Sequence, residues 1–378
     1  MKVRFSYLKE KFNEENAERI WARMKPTVTA GGFTLGKEVL EFEAKFAAMM
    51  GCKYAIACAN GTDALELSLW AVGVRAGDEV IAPANTFVAS LGCIGNLQAT
   101  PVLVDVGPNY VIDASKIEAA ITPKTKAIIP VSFTGYPCDM DEIMRISEKH
   151  KIPVIEDDCQ SYLAEYKGKC VGNFGVTGCF SLHPLKILNV WGDSGAITTN
   201  DKAIYDSIKL HQNHGLFTRD IITEFPCRNS RMDSIHAAVA NSQLDGVPEN
   251  VAKRRANAAY YDKKLTEISG VYVEPRRDDI KSVYHLYFFE VDAYIREDLY
   301  DYLLKNDIEA KIHYKTPLYQ QPGLSKLGYK RGDFPEADRQ CSRIITIPVD
   351  ENVTVEMQDY VIKVIKEFME SKLSRRKW

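Results

Sequence analysis

An α/β fold, with a mostly parallel central sheet flanked by helices and a smaller C-terminal α+β domain, is predicted from three observations. Between about residues 54 and 200, short β-rich apolar runs alternate with stretches of helical period. At 378 residues the chain exceeds one small core, since single cores stop growing near ~250 to 300 residues. Beyond Asn200 the pattern turns mostly helical, and a fresh apolar run appears only at residues 283–289.

Taken in order, the expected strands are Tyr54–Cys58, Glu79–Ala82, Thr100–Val104, Ala127–Val131, Ile152–Ile155, Gly178–Leu182 and Gly195–Thr199. Helical segments at Ala64–Val72, Ser115–Ala120 and Met140–His150 lie between them, the middle one set between a cap at Asp113 and a stop at Pro123. Lys202–Gln212, Arg231–Leu244 and Pro248–Ile268 follow as helices, with Pro248 suited to a helix start. Residues 283–289 read as a strand, and Arg296–Lys305 and Val355–Glu370 as helices. The expected division is residues 1–250, a large α/β domain with an N-terminal helical segment, and 251–378, with the long helix as the connection.

Bulk properties narrow the function. A net charge of -3 and a pI near 6.2 argue against nucleic-acid binding, and no apolar run reaches the ~20 residues that span a bilayer. The basic tail Lys372, Arg375, Arg376 and Lys377 reads as a solvated helix end. Without an apolar stretch near the start, the cytoplasm is the default address. Nine cysteines with no C-x-x-C pair read as reduced, mostly core thiols.

Some motifs mislead. Gly31 to Lys37 matches part of a P-loop, but Glu38 stands where Ser or Thr must hold magnesium, and no buried strand precedes it. Gly168, Gly172 and Gly175 are spaced too loosely for a dinucleotide fingerprint and read as a turn. His211 and His214 find no further His or Cys at known spacing, so no metal is expected.

Three stretches place functional groups at the carboxyl ends of expected strands, where open α/β sheets bind ligands. In Asn60-Gly61-Thr62-Asp63 a strand ends and a helix begins, so free amides and the helix dipole suit a phosphate. Thr62 adds a hydroxyl, and Asp63 is expected to act through its amide. In Glu156-Asp157-Asp158-Cys159-Gln160, a carboxylate after a strand suits a protonated pyridine nitrogen, with Asp157 in that role and Gln160 reaching a ring oxygen. In Ser181 to Lys186, a lysine in a loop between apolar strands can be desolvated for Schiff-base chemistry, with Ser181 as a further phosphate donor. Alone, the first two also read as ordinary turns, and an isolated lysine usually lies on the surface. Their agreement carries the reading.

The runs TLGKEVLEFEAKFA, ANGTDALELSL, GDEVIAPANTFVAS, VIEDDCQSYLAEYKGK, FSLHPLK, NHG and RNSRMDSIHAA occur in order, and VYHLYFF and KIHYKTPLY extend them to about residue 325. They resemble the DegT/StrS family of nucleotide-sugar aminotransferases, pyridoxal-phosphate enzymes of fold type I. The resemblance implies pyridoxal 5'-phosphate carried as a Schiff base on Lys186, a ring partner at Asp157, a contact from Gln160 and ring stacking by Phe87. It assigns the phosphate to Gly61, Thr62, Asp63 and Ser181. A homodimer with shared active sites is implied, with Asn229 and Arg231 reaching the partner's site, and His183 and His313 lining the sugar side. The implied reaction moves an amino group from an amino acid, glutamate by analogy, to a keto group of a nucleotide-linked sugar. Sugar deoxygenation on pyridoxamine phosphate and a non-catalytic sensor on the same fold are the alternatives. Trp191 and Ser194 interrupt the family's glycine-rich run after the lysine, and Asp158-Cys159 replaces its usual small alanines, so the pocket wall departs from the pattern.

Overall fold

The computed structural model describes residues 1–374 and shows a mixed α/β architecture. Arg375, Arg376 and Lys377 of the basic tail lie outside the described residues. Seven strands form the central sheet: β1 (Tyr54–Cys58), β2 (Glu79–Pro83), β3 (Thr100–Val104), β4 (Thr125–Ile128), β5 (Ile155–Asp157), β6 (Thr177–Ser181) and β7 (Gly195–Thr199). Their order is β1-β7-β6-β5-β4-β2-β3. β5 meets the β4 segment through single parallel bridges, Ile128 to Val154 and Val131 to Asp157. Only β7 runs against its neighbours, pairing antiparallel with both β1 and β6.

Helices cover both faces because these strands bury apolar side chains on both faces. On one face, helix Gly61–Ala71 adds Leu65, Leu67 and Leu69 to a core shared with Ile56, Val80 and Ile197. On the other, Phe42 and Phe46 of helix Lys37–Met50 pack with Ile20 of helix Glu14–Thr29, with Ala237 and Val239 of helix Ser234–Gln243, and with Phe180. The P-loop-like stretch therefore joins two helices, and Gly36 stands as an N-cap at a place where a Cβ would lie 2.7 Å from Ser234 Oγ. Gly168 falls at the tip of a hairpin, Glu165–Tyr166 with Lys169–Cys170.

Element ends moved where a cap or a partner overrode propensity. Helix Gly61–Ala71 begins three residues before the expected Ala64 because Asn60 Oδ1 accepts the amide of Asp63 at 2.8 Å. Asp157 is the last residue of β5 rather than the start of a turn, since it pairs with Cys179. Residues 231–233 lie outside the helix, and Ser234 starts it after Asp233, extended and bridged to Thr34.

Toward the C-terminus, β8 (Val271–Tyr272), β9 (Tyr287–Val291) and β10 (Ile344–Ile347) form an antiparallel sheet in the order β8-β9-β10. Helices Val247–Leu265, Ala293–Lys305 and Val355–Ser374 pack around it. The first residues, expected with the large domain, join this core instead: Val3 bridges to Ile308 and is fully buried. No described helix is long and apolar enough to cross a membrane. All nine cysteines are free.

Polar contacts fasten the C-terminal sheet to the central one. Buried Glu290 on β9 accepts from Tyr110 Oη at 2.7 Å, from Arg339 Nη2 at 3.0 Å and from Arg343 Nε at 3.0 Å. Asp105 accepts the amides of Glu336 and Ala337, capping helix Pro335–Arg343 across the junction. Removing the Glu290 carboxylate leaves a buried phenol without its acceptor and takes one carboxylate from each of two arginines, which keep Glu336 and Asp292. Glu290→Ala is expected to lower the unfolding free energy by about 2 to 3 kcal/mol, less than a fully buried pair because the arginines are partly exposed. Urea denaturation of the two proteins measures it.

Candidate active site

A cavity of about 650 Å³ opens at the carboxyl edge of the central sheet and is closed on its far side by the C-terminal unit. The ends of four strands reach it. Beyond β1 come Asn60 to Asp63, beyond β2 Thr86 and Phe87, at the end of β5 Asp157, Cys159 and Gln160, and at the end of β6 Ser181, His183 and Lys186. The three sequence stretches therefore converge on one space.

At one end lies the helix that starts at Gly61. Its first turn leaves the amides of Gly61 and Thr62 with no partner among the described residues, a geometry that receives an anion. Gly61 permits it: a Cβ there would stand 2.8 Å from Ser181 Cβ and 2.9 Å from Cys159 Sγ. Ser181 Oγ accepts the amide of His183 at 3.3 Å, which leaves its hydroxyl proton to donate. The expectation for Asp63 needs correction. Its amide is already given to Asn60, and its carboxylate is held by Ser230 Oγ at 2.7 Å, so its visible work is to fix this turn.

Asp157 is 5% exposed and anchored through both oxygens. Ser90 Oγ donates to Oδ2 at 2.7 Å, Thr86 Oγ1 lies 3.1 Å from Ser90 Oγ, and the amide of Cys159 donates to Oδ1 at 3.2 Å. Such a carboxylate cannot swing, so it holds a cationic N–H in one place. Gln160 Oε1 accepts the amide of Thr134 at 2.8 Å, which commits its oxygen and frees its NH2.

Lys186 sits in a loop pinned by its own hydrogen bonds. Its amide donates to His183 O at 2.8 Å, and Asn189 Nδ2 donates to Pro184 O and Lys186 O at 2.8 and 2.9 Å. The side chain is partly exposed to the cavity, yet burial of the amine lowers its pKa below the ordinary lysine value, opposed by Cys159 and Asp157. A larger neutral fraction makes a better nucleophile.

The far wall comes from the C-terminal unit and went largely unrecognised in the sequence. His285 is pushed well below the usual histidine pKa by burial and by nearby cations, Lys186 first among them. His313 is lowered to about 4 by burial, Lys311 and Lys186, and its Nδ1 lies 3.1 Å from Thr346 Oγ1. His183 Nδ1 accepts the amide of Leu185 at 3.2 Å, which puts the ring proton on Nε2. Arg254 also lines the cavity, but Asp350 at 2.9 Å and Glu351 at 2.7 Å neutralise it. Lys311 lines it with no acidic partner among the described residues, its ammonium 4.4 Å from the Phe5 ring centre. Asn229 and Arg231 are not brought to this chain's cavity. Asn229 is exposed on a bridge to Asn213, and Arg231 is bonded to the Asn213 side chain.

A profile of the DegT/DnrJ/EryC1/StrS aminotransferase family matches residues 14–366. The chain belongs to that family. This aminotransferase is 38% identical, over 88% of its length and 91% of the relative, to UDP-2-acetamido-2-deoxy-3-oxo-D-glucuronate aminotransferase of Pseudomonas aeruginosa. It is 36% identical to the pleiotropic regulatory protein of Geobacillus stearothermophilus, over 97% and 99% of the two chains. Among solved structures, Streptomyces venezuelae DesV in complex with a ketimine intermediate superposes with a TM-score of 0.94 at 30% identity, covering 98% of this chain and 99% of that one. The fold is that of the type I pyridoxal-phosphate aminotransferases, and pyridoxal phosphate is the cofactor.

The residues present suit that group. Unpaired amides await a phosphate, a fixed carboxylate awaits a protonated ring nitrogen, a desolvated amine awaits an aldehyde, and Phe87, 52% exposed, offers a free aromatic face. Gly61→Ala forces a methyl group between Ser181 and Cys159, so it is expected to weaken cofactor binding at least about tenfold, with a stability loss of about 1 to 3 kcal/mol. Cofactor titration followed by absorbance and a parallel melt would check both effects.

Proposed function

We propose that this enzyme transfers an amino group from an amino acid, glutamate by analogy, to the keto group of a nucleotide-linked sugar. The observation that carries the reading is the convergence of the Lys186 amine, the Asp157 carboxylate and the Gly61–Thr62 amides on one cavity. Similarity to a UDP-sugar aminotransferase supplies the substrate class.

When bound, pyridoxal phosphate supplies a carbonyl that takes up the amine and a cationic ring that accepts the electron pair left when the α-proton departs. Asp157 keeps the proton on the ring nitrogen, and its bond from Ser90 keeps that carboxylate aimed. The amides of Gly61 and Thr62 and the hydroxyls of Thr62 and Ser181 hold the phosphate. Phe87 covers the ring, and Gln160 donates to its oxygen. Lys186, once released by the incoming amine, takes the proton from the donor's α-carbon and later delivers one to the sugar carbon. His285 and His313, kept neutral by burial and nearby cations, face the sugar together with His183. Both substrates react at the same carbonyl in this cavity, so they bind in turn.

A second copy of the chain completes the site, with its Asn229 and Arg231 reaching across. Phe217, Ile222 and Phe225, at 74%, 64% and 90% exposure, lie just before that segment and support a covered face. The relative named as a regulatory protein does not redirect this reading, because Lys186 and Asp157 are both in place here.

The test is to incubate purified protein with glutamate and a panel of keto-sugar nucleotides and follow oxoglutarate and amino-sugar formation. Parallel initial-rate lines are expected, and intersecting lines would count against the scheme. Lys186→Ala should lose the borohydride-reducible attachment of the cofactor and drop turnover by at least about 10³-fold. Retention of that reducible adduct would move the anchor to another lysine.

A further inference from the structure

Outside the catalytic cavity, the fold assembles three side chains that sequence spacing gave no reason to connect. His211, at the end of helix Lys202–His211, meets Glu224 and Cys227 as they return from the hairpin Leu216–Thr218 with Ile221–Ile222. A ring nitrogen of His211, a Glu224 carboxylate oxygen and Cys227 Sγ lie within 4.8 Å of one another.

His211 is 6% exposed, and its ring stacks on Trp70 with centroids 3.7 Å apart and planes 18° from parallel. That contact fixes where Nδ1 points, and Nδ1 has no hydrogen-bond partner among the described residues. A buried ring nitrogen left unpaired is costly, so the arrangement calls for something to meet it. Glu224 Oε2 stands 3.9 Å away, too far for an N–H···O bond, and Cys227 Sγ lies 3.8 Å from the same oxygen. Tetrahedral bonds of about 2.0 Å to nitrogen and oxygen and about 2.3 Å to sulfur give edges of about 3.3 Å for N···O and about 3.5 Å for S···O, so closing on an ion draws these two separations in by roughly 0.6 and 0.3 Å.

The scaffold is also held. The amide of Arg228 donates to His211 O at 3.2 Å, that of His214 to Arg228 O at 2.9 Å, and that of Ser230 to Gln212 O at 2.9 Å. Two cations face the group, and both are occupied. Arg228 pairs with Asp63 and Glu66, while Arg75 donates to the carbonyls of Trp70 and Val74 and stacks on the Trp70 ring.

We propose that His211, Glu224 and Cys227 form a binding site for a divalent transition metal of the zinc class, with a fourth position left to water. Mixed nitrogen, oxygen and sulfur ligands select zinc or cobalt over magnesium or calcium. On binding, Cys227 gives its thiol proton to solvent, His211 contributes a neutral lone pair, and thiolate and carboxylate balance the ion's two charges. No electron transfer is involved. The metal ties the hairpin to the helix just before Asn229 and Arg231, so it acts as a clamp on that segment and takes no part in the chemistry at Lys186.

Cofactor-loaded protein, stripped by dialysis against a chelator, is titrated with zinc in competition with a chromophoric chelator, and separately with cobalt. About one metal per chain is expected, with the visible ligand-field bands of a four-coordinate cobalt site. Cys227→Ser and His211→Gln should each weaken zinc at least about tenfold, while Cys52→Ser leaves it unchanged. Zinc should also shield Cys227 of the unmodified protein from alkylation, a readout independent of whether His211→Gln folds. Absence of stoichiometric zinc, or equal affinity in Cys227→Ser, overturns the proposal.

Discussion

Three strand ends meet at Gly61 with no room for a side chain between them, and the chemistry of the cavity rests on that contact. Ser181 at the end of β6 and Cys159 just beyond β5 press on the glycine that opens the helix after β1. The phosphate-receiving amides, the carboxylate of Asp157 and the loop bearing Lys186 are thereby fixed relative to one another through backbone rather than through flexible side chains. A larger residue at position 61 would push the anion end away from the amine. No adjustment of Lys186 could recover the geometry at both ends at once.

Around that contact, the functional groups are set by second partners more than by burial alone. Asp157 is aimed by Ser90 and the Cys159 amide, Gln160 by the Thr134 amide, and His183 by the Leu185 amide. Each supporting bond fixes the direction of the group and leaves it further donor or acceptor capacity toward the cavity, even at Asp157, where both oxygens are engaged. Preorganisation of this kind removes the reorganisation cost at the moment of reaction. Desolvation then adjusts the amine of Lys186, and the same low-dielectric setting keeps His285 and His313 uncharged.

Much of this was legible in the sequence because the sheet writes its own pattern. Alternating apolar runs marked the seven strands of the large sheet, and the polar ends of three of them marked the ligand edge. What sequence reasoning missed has a common cause, which is action across long separations. Arg254, His285 and Lys311 reach the cavity only because the C-terminal sheet docks through Glu290 and Asp105, and nothing local announces that. Ser90 stood inside a recognised run, but its bond to Asp157 spans residues far apart in the chain. Val3 likewise joins a core built from the other end of the chain. Local capping caused the smaller errors, as where Asn60 drew the helix start back to Gly61 and took the amide assigned to Asp63.

The reversed direction of β7 has its own effect on how this scaffold can vary. Because β7 runs opposite to β6, the loop from Ser181 to Gly195 leaves and re-enters the sheet at the same rim. The lysine therefore rides on a bridge with both abutments at the mouth of the pocket, and no crossover has to travel the length of the sheet. Leu185 and Asp193, which line the cavity from this loop, can change without disturbing the strand ladder beneath, whereas Ser194 is buried and its carbonyl accepts the Leu182 amide. Substrate choice is therefore open to change at the first two while the anchoring chemistry stays put.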